Sequence, residues 1–393
     1  FQIYRRRGHP GRSERMKSKR NKLTKILTVS LAGLCAASFF GCSNGKEQGE
    51  EGEWLKDIYQ NYFPIGTIIK TGMPDMYEDL YPHFNSVSAE FEMKWDALQP
   101  TEGNFAFDTA DVLLEFAEEN DMKMRGHALV WYKALPSWVL ADGTTKEQAL
   151  GRIGNHIDGV LEHYGDRVYC WDVVNEALAN LPTQAQVDSG EFYRTGNEAL
   201  GTNCGDWYAL CGNDFIKEAF RAADAARERL GLDVKLYYND YGLNIPVKRE
   251  ACLKMVNELL AEGIAIDGIG MQGHYYIGDF SMPEFENSVK AFTELGLDVQ
   301  VTELDISIYP YGPSDAIYDE LPESLDAIQA SMYGGIFEIC REYSEPWKEG
   351  AGRVTGITVW GLADDLTILD KEPVANRKNW PLLFDEDHNP KSA

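Results

Sequence analysis

Five apolar segments of the sequence end in side chains that can transfer protons or bind a polar ligand. In chain order they read Arg125-Gly-His127, Trp171-Asp-Val-Val-Asn175-Glu176, Tyr238-Asn239-Asp240-Tyr241, Gln272-Gly-His274 and Val301-Thr-Glu303-Leu-Asp305. A single glutamate at a strand end is usually a salt-bridge or capping residue. Five segments whose polar ends meet at one rim would leave many buried groups unpaired unless they formed a site. Two carboxylates, Glu176 and Glu303, are what hydrolysis of a glycosidic bond requires.

Side chains an even number of positions apart on a strand share a face. Three pairs meet this condition and are expected to point into one site: Gln272 with His274, Glu303 with Asp305, and His127 with Trp131. Asn175 and Glu176 are neighbours, so regular alternation cannot direct both side chains inward. We expect a bulge or a twist at this strand end, because bulges are common beside active sites.

The elements that must position these residues alternate between strand-like and helix-like patterns from Trp54 onward. The candidate strands are Ile65–Lys70, Ser86–Glu90, Met124–Trp131, Tyr169–Asn175, Lys235–Asn239, Gly268–His274, Val299–Asp305 and Gly356–Trp360. Helical patterns between them include Ala110–Glu119, Asp214–Leu230, Lys248–Glu262, Met282–Leu295 and Leu325–Tyr343. Eight strand–helix repeats predict an α/β fold of the (β/α)8 TIM-barrel type, with the active site at the C-terminal strand ends. The alternative is a doubly wound sheet, but no glycine-rich phosphate loop follows a strand.

The composition of the chain limits the kinds of partner that it is expected to bind. The chain has 63 acidic and 37 basic side chains, a net charge of −26. The first 25 residues contribute +9, which leaves −35 for the remainder. A body this acidic repels phosphate backbones and argues against nucleic acid, whereas a neutral sugar polymer is not repelled. The 9 Trp and 20 Tyr residues offer flat faces for sugar rings. No Cys/His spacing fits zinc, and we expect neither a metal nor a cofactor.

The N-terminal 53 residues are interpreted as targeting sequence. Residues 1–15 are expected to be non-native sequence upstream of a start at Met16, and residues 16–41 a lipoprotein-type signal peptide with a basic start and an apolar run. Gly41 before Cys42 fits lipidation of Cys42, with simple secretion as the alternative. Residues 42–53, rich in Gly and Glu, predict a solvated tether. Residues 54–393 then form one catalytic domain.

Seven cysteines are present, of which Cys35 lies in the signal and Cys42 is the lipidation candidate. The remaining five are an odd number, which argues against a disulfide framework. Cys204 and Cys211 flank a loop and either pair or remain free thiols; the sequence leaves both open.

The motifs together resemble those of glycoside hydrolase family 10, the endo-β-1,4-xylanases. The resemblance covers Trp54 to Pro390. It rests on Ala89-Glu-Phe-Glu-Met-Lys-Trp95, Arg125-Gly-His-Ala-Leu-Val-Trp131, Trp171-Asp-Val-Val-Asn-Glu176, Tyr238-Asn-Asp-Tyr241, Gln272-Gly-His274, Val301-Thr-Glu-Leu-Asp305, Val359-Trp-Gly361 and Pro381-Leu-Leu-Phe-Asp385. Each motif alone is weak, whereas their order and spacing are specific.

The resemblance implies a retaining mechanism, with Glu176 as the general acid/base, Glu303 as the nucleophile and the two carboxyl groups about 5–5.5 Å apart. His274 and Asp305 match the pair that orients the nucleophile. The remaining matches are expected to bind substrate: Lys94, His127, Trp131, His274 and Trp360 at the sugar undergoing cleavage, Glu90 one sugar further out, Asn175 at the sugar 2-hydroxyl, Gln272 beside the acid/base, and Asn239 and Tyr241 on the leaving-group side.

Several positions depart from the family pattern. Phe91, Tyr132 and Ala134 replace an Asn, a His and a Gln, which puts the sugar-binding side of the cleft in question. The second Trp usually found shortly after Trp360-Gly361 is absent; in its place Leu362–Asn379 forms a longer loop, after which Trp380 could swing back. The loop between Asn180 and Asp206 is also longer than usual.

Three functions are therefore considered. The first is an endo-acting retaining xylanase that acts on xylan or a related β-glycan as a monomer. The second is a family-related β-glycosidase with altered specificity, and the third is a surface carbohydrate-binding lipoprotein without catalysis. Both glutamates are present, which argues against the third. Export is expected in each case, with contact to a membrane only through a lipid anchor at the cell envelope.

Overall fold

The computed structural model describes residues 54–196, 205–311 and 314–392. The predicted upstream segment, signal peptide, Cys42 and tether lie outside the described residues, as does Cys204. Cys211 is a buried free thiol. Within the described ranges, no helix has the length and apolar character needed to cross a membrane.

The strands form a closed parallel barrel. They are β1 (Ile65–Ile69), β2 (Ser86–Ala89), β3 (Lys123–Gly126), β4 (Val168–Asn175), β5 (Lys235–Asp240), β6 (Gly268–Met271), β7 (His274–Tyr276), β8 (Asp298–Ser307) and β9 (Val354–Val359). Each barrel strand pairs with its neighbour along the chain, β6 pairs with β8, and β9 pairs with β1 to close the ring. The short strand β7 continues beside the C-terminal half of β8. The predicted (β/α)8 barrel is confirmed.

Six of the eight predicted strands agree with the structure to within two residues at each end, and two differ more substantially. Strand β3 ends at Gly126 rather than at Trp131, although the N–H groups of Leu129 and Val130 still bond to carbonyls of β4. The sixth predicted strand is interrupted after Met271, because Gly273 has φ +91°, a conformation that favours glycine and breaks regular pairing. Both irregular segments lie at the C-terminal end of the barrel, where the residues of the expected active site are located.

Helices surround the barrel. They are α1 (Leu55–Ile58), α2 (Met73–Met76), α3 (Trp95–Leu98), α4 (Asp108–Glu119), α5 (Lys146–Tyr164), α6 (Gln184–Ser189), α7 (Trp207–Cys211), α8 (Asp214–Leu230), α9 (Pro246–Ala261), α10 (Met282–Glu294) and α11 (Glu323–Glu342). All five helical patterns predicted from spacing are present, and α8 has the predicted bounds.

Local sequence signals fix the ends of several helices. Thr145 and Gln148 form a capping box at the start of α5, so that two backbone donors of its first turn are satisfied. Gly231 ends α8 in the left-handed conformation, with φ +70°. Helix α9 begins with Pro246, whose missing N–H needs no partner in the first turn. Because α9 follows β5, this start places its first turns directly behind the C-terminal end of that strand.

The barrel strands are almost fully buried on both faces, as in other parallel sheets. Close backbone approach is needed where β3 meets β4. A Cβ atom on Gly126 would lie 2.2 Å from the ring of Trp171, a fully buried side chain. Glycine at this position therefore lets β3 end close against β4 and deliver the following residue, His127, to the rim of the barrel.

Candidate active site

Glu176 directly follows the last residue of β4. The pairing of β4 with β5 shifts register between Asp172 and Val174, and Glu176 has φ +57°. These irregularities bring Asn175 and Glu176 to the same neighbour, because the Gln272 Nε2 atom lies 3.3 Å from the Asn175 Oδ1 atom and 2.9 Å from the Glu176 Oε1 atom. The predicted bulge or twist at this strand end is confirmed.

Glu303 projects from β8 into the same site and is only 5% exposed. Its Oε1 atom accepts a hydrogen bond from Nδ2 of Asn239 at 2.8 Å. Its Oε2 atom lies 3.1 Å from Nε2 of His274, whose Nδ1 atom lies 3.0 Å from Oδ2 of Asp305. The backbone N–H of Glu303 also donates to the carbonyl of Gln272 at 2.6 Å. Glu303 and Asp305 therefore share a face of β8, as predicted. Gln272 and His274 both line the cleft, but the break at Gly273 separates them, so they do not share a strand face.

The surroundings of Glu303 favour its ionised form. Burial would raise its pKa, but the hydrogen bond from His274, the imidazoles of His127 and His274, and the amide of Asn239 lower the pKa to about 2. His274 is held in its protonated, positively charged state. Burial would lower its pKa, but the carboxylates of Asp305 and Glu303 raise it well above its usual value. A charged imidazolium thus bridges two carboxylates.

A row of amides connects the two glutamates. Gln272 donates to Glu176, and the side-chain amide of Asn175 lies 3.3 Å from that of Gln272 and 2.9 Å from that of Asn239. Asn239 also reaches Glu303, and its own oxygen accepts a hydrogen bond from Thr302 at 2.6 Å. The prediction that Asn239 lines the leaving-group side is wrong, because this side chain is fully buried and all its polar atoms are used within the protein. It holds Glu303 instead.

His127 reaches the site by a different route from the predicted one. It does not share a strand face with Trp131, because β3 ends at Gly126. Its Nδ1 atom instead lies 2.8 Å from Oδ2 of Asp172 and 4.0 Å from Oε1 of Glu303. Asp172 is in turn paired with Arg125 through two contacts of 2.5 Å, both side chains being buried. An ion pair inside the barrel therefore supports the imidazole beneath Glu303.

Glu176 and Glu303 lie in an open cleft of about 600 Å³. The other predicted residues that line this cleft are Lys94, His127, Trp131, Tyr241, Gln272, His274, Asp305 and Trp360. Among them, the ammonium of Lys94 lies 4.9 Å from the ring centroid of Trp131, and the rings of His127 and Trp360 meet edge to face at 5.6 Å. The site therefore combines two carboxylates, several donors and two tryptophan rings.

Glu90 lies just outside this lining. Its carboxylate forms an ion pair with Lys70 at 2.6 Å. The neighbouring Phe91, one of the departures from the family pattern, is 53% exposed, and the ammonium groups of Lys70 and Lys94 lie 5.5 and 5.2 Å from its ring centroid. The ring is therefore open to solvent on this part of the rim.

Arg194 is a cleft residue that sequence reasoning missed. Its Nε atom donates to the backbone carbonyl of Glu176 at 2.9 Å, and a second guanidinium nitrogen donates to the hydroxyl of Tyr241 at 2.8 Å. The guanidinium also lies 4.3 Å from the ring centroid of Tyr132. In the sequence, the loop that carries Arg194 was notable for its unusual length. Loop length does not indicate which of its side chains will point toward the cleft.

The long segment after β9 contributes in a way the sequence did not indicate. Trp380 does not swing back to the cleft; it is 7% exposed and packs with Ile308 and Tyr309. Ile368, Leu369, Glu372 and Pro373 line the cleft in its place. This side of the cleft is thus formed by aliphatic and acidic residues rather than by a second tryptophan.

Comparison with known proteins agrees with this geometry. The model of glycosyl hydrolase family 10 matches residues 54–393, and the chain belongs to this family. It is therefore a glycoside hydrolase, as its two glutamates at the C-terminal rim of a (β/α)8 barrel had indicated.

Named relatives span most of the chain. A β-1,4-xylanase of Dictyoglomus thermophilum is 42% identical over 88% of this chain and 90% of its own length. An endo-1,4-β-xylanase A of Caldicellulosiruptor saccharolyticus is 36% identical over 86% and 93%. Among solved structures, an endo-1,4-β-xylanase from Caldicellulosiruptor owensensis has a TM-score of 0.76 and 35% identity, over 86% of this chain and 97% of that one.

The contacts of Glu303 predict how activity depends on pH. A carboxylate nucleophile acts only when ionised, so activity falls as the pH drops through its pKa. His274→Gln removes the charged donor that helps to lower this pKa to about 2. We expect the acid limb of kcat/KM for an activated aryl β-glycoside to move to higher pH by about one to two units, since a charged hydrogen bond is worth ~1.5–3 kcal/mol.

Trp360→Phe is the control for this measurement, because Trp360 contacts the same imidazole without carrying a charge. Its acid limb should stay in place even if KM rises. An unshifted acid limb in His274→Gln would show that His274 does not keep Glu303 ionised.

Proposed function

We propose that this chain is an endo-acting retaining hydrolase of β-1,4-xylosidic bonds in xylan, with Glu176 as the general acid/base and Glu303 as the nucleophile. The observation that carries this proposal is the pair of glutamates directly after β4 and within β8, joined by the amides of Gln272, Asn175 and Asn239. Xylan as the substrate is supported by the relatives of the chain, which are named as β-1,4-xylanases.

The assignment of the two roles follows from their different surroundings. Glu303 faces the imidazoles of His274 and His127, which favour a negative charge. Glu176 forms no ion pair with any residue that the structure describes, and its nearest donor is the neutral amide of Gln272. Carboxyl groups placed in such different environments divide into a nucleophile and a proton donor.

In the first step, a Glu303 oxygen attacks the anomeric carbon of the bound sugar. Glu176 gives its proton to the glycosidic oxygen as the carbon–oxygen bond breaks, and the shortened chain leaves as an alcohol. The sugar remains attached to Glu303 as an ester. The negative charge of Glu303 is thereby consumed and Glu176 is left ionised.

In the second step, Glu176 takes a proton from a water molecule that attacks the same carbon. The ester bond breaks, Glu303 regains its negative charge, and Glu176 is protonated again for the next cycle. Two successive inversions retain the configuration of the anomeric carbon.

The cleft residues have the corresponding binding roles. Lys94, His127, Trp131 and Trp360 contact the sugar undergoing cleavage, Asn175 bonds its 2-hydroxyl, and Tyr241 lines the leaving-group side; Glu90 contacts the sugar beyond. His274 and Asp305 orient Glu303. One chain supplies every residue of this arrangement, so a monomer is sufficient for activity.

The roles of the two glutamates are separable with substrates of different leaving-group acidity. Glu303→Ala should abolish turnover on every substrate, because no ester intermediate can form. Glu176→Ala should lower turnover of xylan by about 10²–10⁴-fold, yet leave the first step on a dinitrophenyl β-xylobioside nearly intact, since that leaving group needs no proton.

Azide provides the matching control for this pair. It needs no general base, so it should rescue turnover of Glu176→Ala on the activated substrate and form a β-glycosyl azide. Glu303→Ala should not respond in this way. If both variants behaved alike on the dinitrophenyl glycoside, the two assignments would be wrong.

A related β-glycosidase with altered specificity is the second candidate, and the exposed ring of Phe91 favours it. A ring offers stacking that depends less on the pattern of hydroxyl groups than an amide's hydrogen bonds do. We therefore propose that this chain binds the sugars beyond the cleaved one loosely and accepts decorated chains.

Phe91→Asn tests this proposal without disturbing the core, because the side chain is half exposed. Restoring one hydrogen bond is worth ~0.5–1.5 kcal/mol, so KM for linear xylo-oligosaccharides should fall about 2- to 10-fold. Phe91→Leu removes the ring without adding a polar group and should raise KM for linear and decorated chains alike. Equal KM values for the Asn and Leu variants would refute the role of Phe91.

We also propose that the protein is exported and anchored to the cell envelope by a lipid on Cys42. Labelled palmitate should enter the wild-type protein in cells and not the Cys42→Ser variant. One acyl chain binds a membrane only marginally, so stable anchoring requires the further chains of a bacterial lipoprotein. Unlabelled wild-type protein in the medium would instead establish simple secretion.

A further inference from the structure

The backbone at Glu176 adopts a conformation that specific contacts must hold in place. A non-glycine residue with φ +57° occupies a sparsely populated conformation. Such a conformation is strained for a non-glycine residue and persists only when its surroundings determine it. The backbone that follows Glu176 must therefore be fixed by specific contacts, since its direction sets where the carboxyl group points.

Tyr238 supplies these contacts from β5. Its hydroxyl oxygen accepts hydrogen bonds from the backbone N–H of Ala177 at 3.1 Å and from that of Leu178 at 3.2 Å. The side chain is fully buried. One phenol oxygen thus holds the two peptide groups immediately after Glu176.

The hydroxyl hydrogen of Tyr238 is directed elsewhere. It is donated to Oδ2 of Asp240 at 2.5 Å, and Oδ1 of Asp240 accepts from Nζ of Lys248 at 2.8 Å and from the N–H of Tyr241 at 2.9 Å. The side chains of Asp240 and Lys248 are both fully buried. Lys248 comes from the first turn of α9, directly behind β5.

This arrangement gives the hydroxyl group one orientation. An ionised carboxylate only accepts hydrogen bonds, so Tyr238 must donate to Asp240 and leave its lone pairs for the two amides. Lys248 stabilises the carboxylate in that state. Burial raises the pKa of Asp240 and lowers that of Lys248, but each charge opposes the shift of the other. Without the cation of Lys248, the buried Asp240 would favour its neutral form and would no longer impose one orientation on the hydroxyl of Tyr238.

The other sides of the same backbone are also held. The N–H of Glu176 donates to the carbonyl of Asn239 at 2.9 Å, and the carbonyl of Glu176 accepts from Arg194. These contacts fix the peptide groups on either side of Glu176 itself. Tyr238 bonds the N–H groups of the two peptides that follow, and it shares the first of these peptides with Arg194.

We propose that Tyr238, oriented by the buried pair Asp240–Lys248, is a positioning residue that holds the backbone after Glu176 and so aims its carboxyl group at the glycosidic oxygen. This inference rests on the proposed role of Glu176 as acid/base. It assigns a function to three buried residues that touch neither the substrate nor a reacting atom.

Tyr238→Phe tests the proposal, because it removes one oxygen atom and keeps the ring. Tyr237→Phe is the matched control: Tyr237 is the adjacent residue of β5, equally buried, and its hydroxyl lies 3.1 Å from that of Thr355, remote from Glu176. Each variant is assayed for kcat/KM on xylo-oligosaccharides, which need a proton donor, and on dinitrophenyl β-xylobioside, which does not.

The ratio of the two kcat/KM values is independent of the fraction of folded enzyme. Tyr238→Phe should lower the oligosaccharide value about tenfold or more and the dinitrophenyl value less than about threefold, because a misdirected acid affects only the protonated leaving group. Tyr237→Phe should leave the ratio as in the wild type. An unchanged ratio in Tyr238→Phe would overturn the proposal.

Two further variants keep the result decisive. Glu176→Ala sets the reference: if it fails to change the same ratio, the proposed acid/base role fails, and with it the premise. If Tyr238→Phe does not fold, Asp240→Asn takes its place, since an amide does not impose the hydroxyl orientation. A lowered ratio in Asp240→Asn supports the proposal, and a wild-type ratio refutes it.

Discussion

A nearly buried carboxylate, Glu303, is the constraint on which most of the site depends. A charged group removed from water requires donors around it, and Glu303 obtains them from Asn239 and His274, with His127 nearby. Each of these partners then needs its own partner. Asp305 holds His274, and Thr302 bonds the oxygen of Asn239.

The same requirement extends to the interior of the barrel. Asp172 bonds His127, but a second buried carboxylate would itself be unfavourable without a cation. Arg125 provides the cation through two contacts and is bonded in turn to Gln300 at 2.9 Å. Starting from Glu303, each buried polar side chain inside the barrel thus requires a further polar partner. This requirement explains why so many polar side chains occur on strands that are otherwise apolar.

Sequence reasoning reached the parts of this site that depend on local periodicity. The period of two placed Glu303 beside Asp305, and the adjacency of Asn175 and Glu176 required a bulge or twist that the structure contains. It could not place Asn239 correctly, because an amide between two strand ends looks the same whether it faces a ligand or another side chain. Whether Asn239 is buried depends on which residues of β4 and β8 lie opposite it.

His127 shows a second limit of the sequence. It was assigned to the correct site for an incorrect reason, since β3 ends one residue before it. The ends of strands depend on hydrogen bonds to neighbouring strands, here the carbonyls of β4, and these are contacts between residues distant in the sequence. The same holds for Arg194, whose loop length was visible but whose return to Glu176 was not.

The contacts of Arg194 also change how the departures from the family pattern should be understood. Tyr132 and the long loop after β4 were noted as separate departures, yet the guanidinium of Arg194 stacks on Tyr132 while bonding Tyr241 and the backbone of Glu176. Lys133 adds a second cation near the same ring, its ammonium lying 5.4 Å from the ring centroid. An aromatic ring and a cation attract each other most when both are shielded from water, and Arg194 is only 7% exposed. The aromatic residue at position 132 and the arginine at position 194 therefore form one structural unit that links the two departures to the backbone of Glu176.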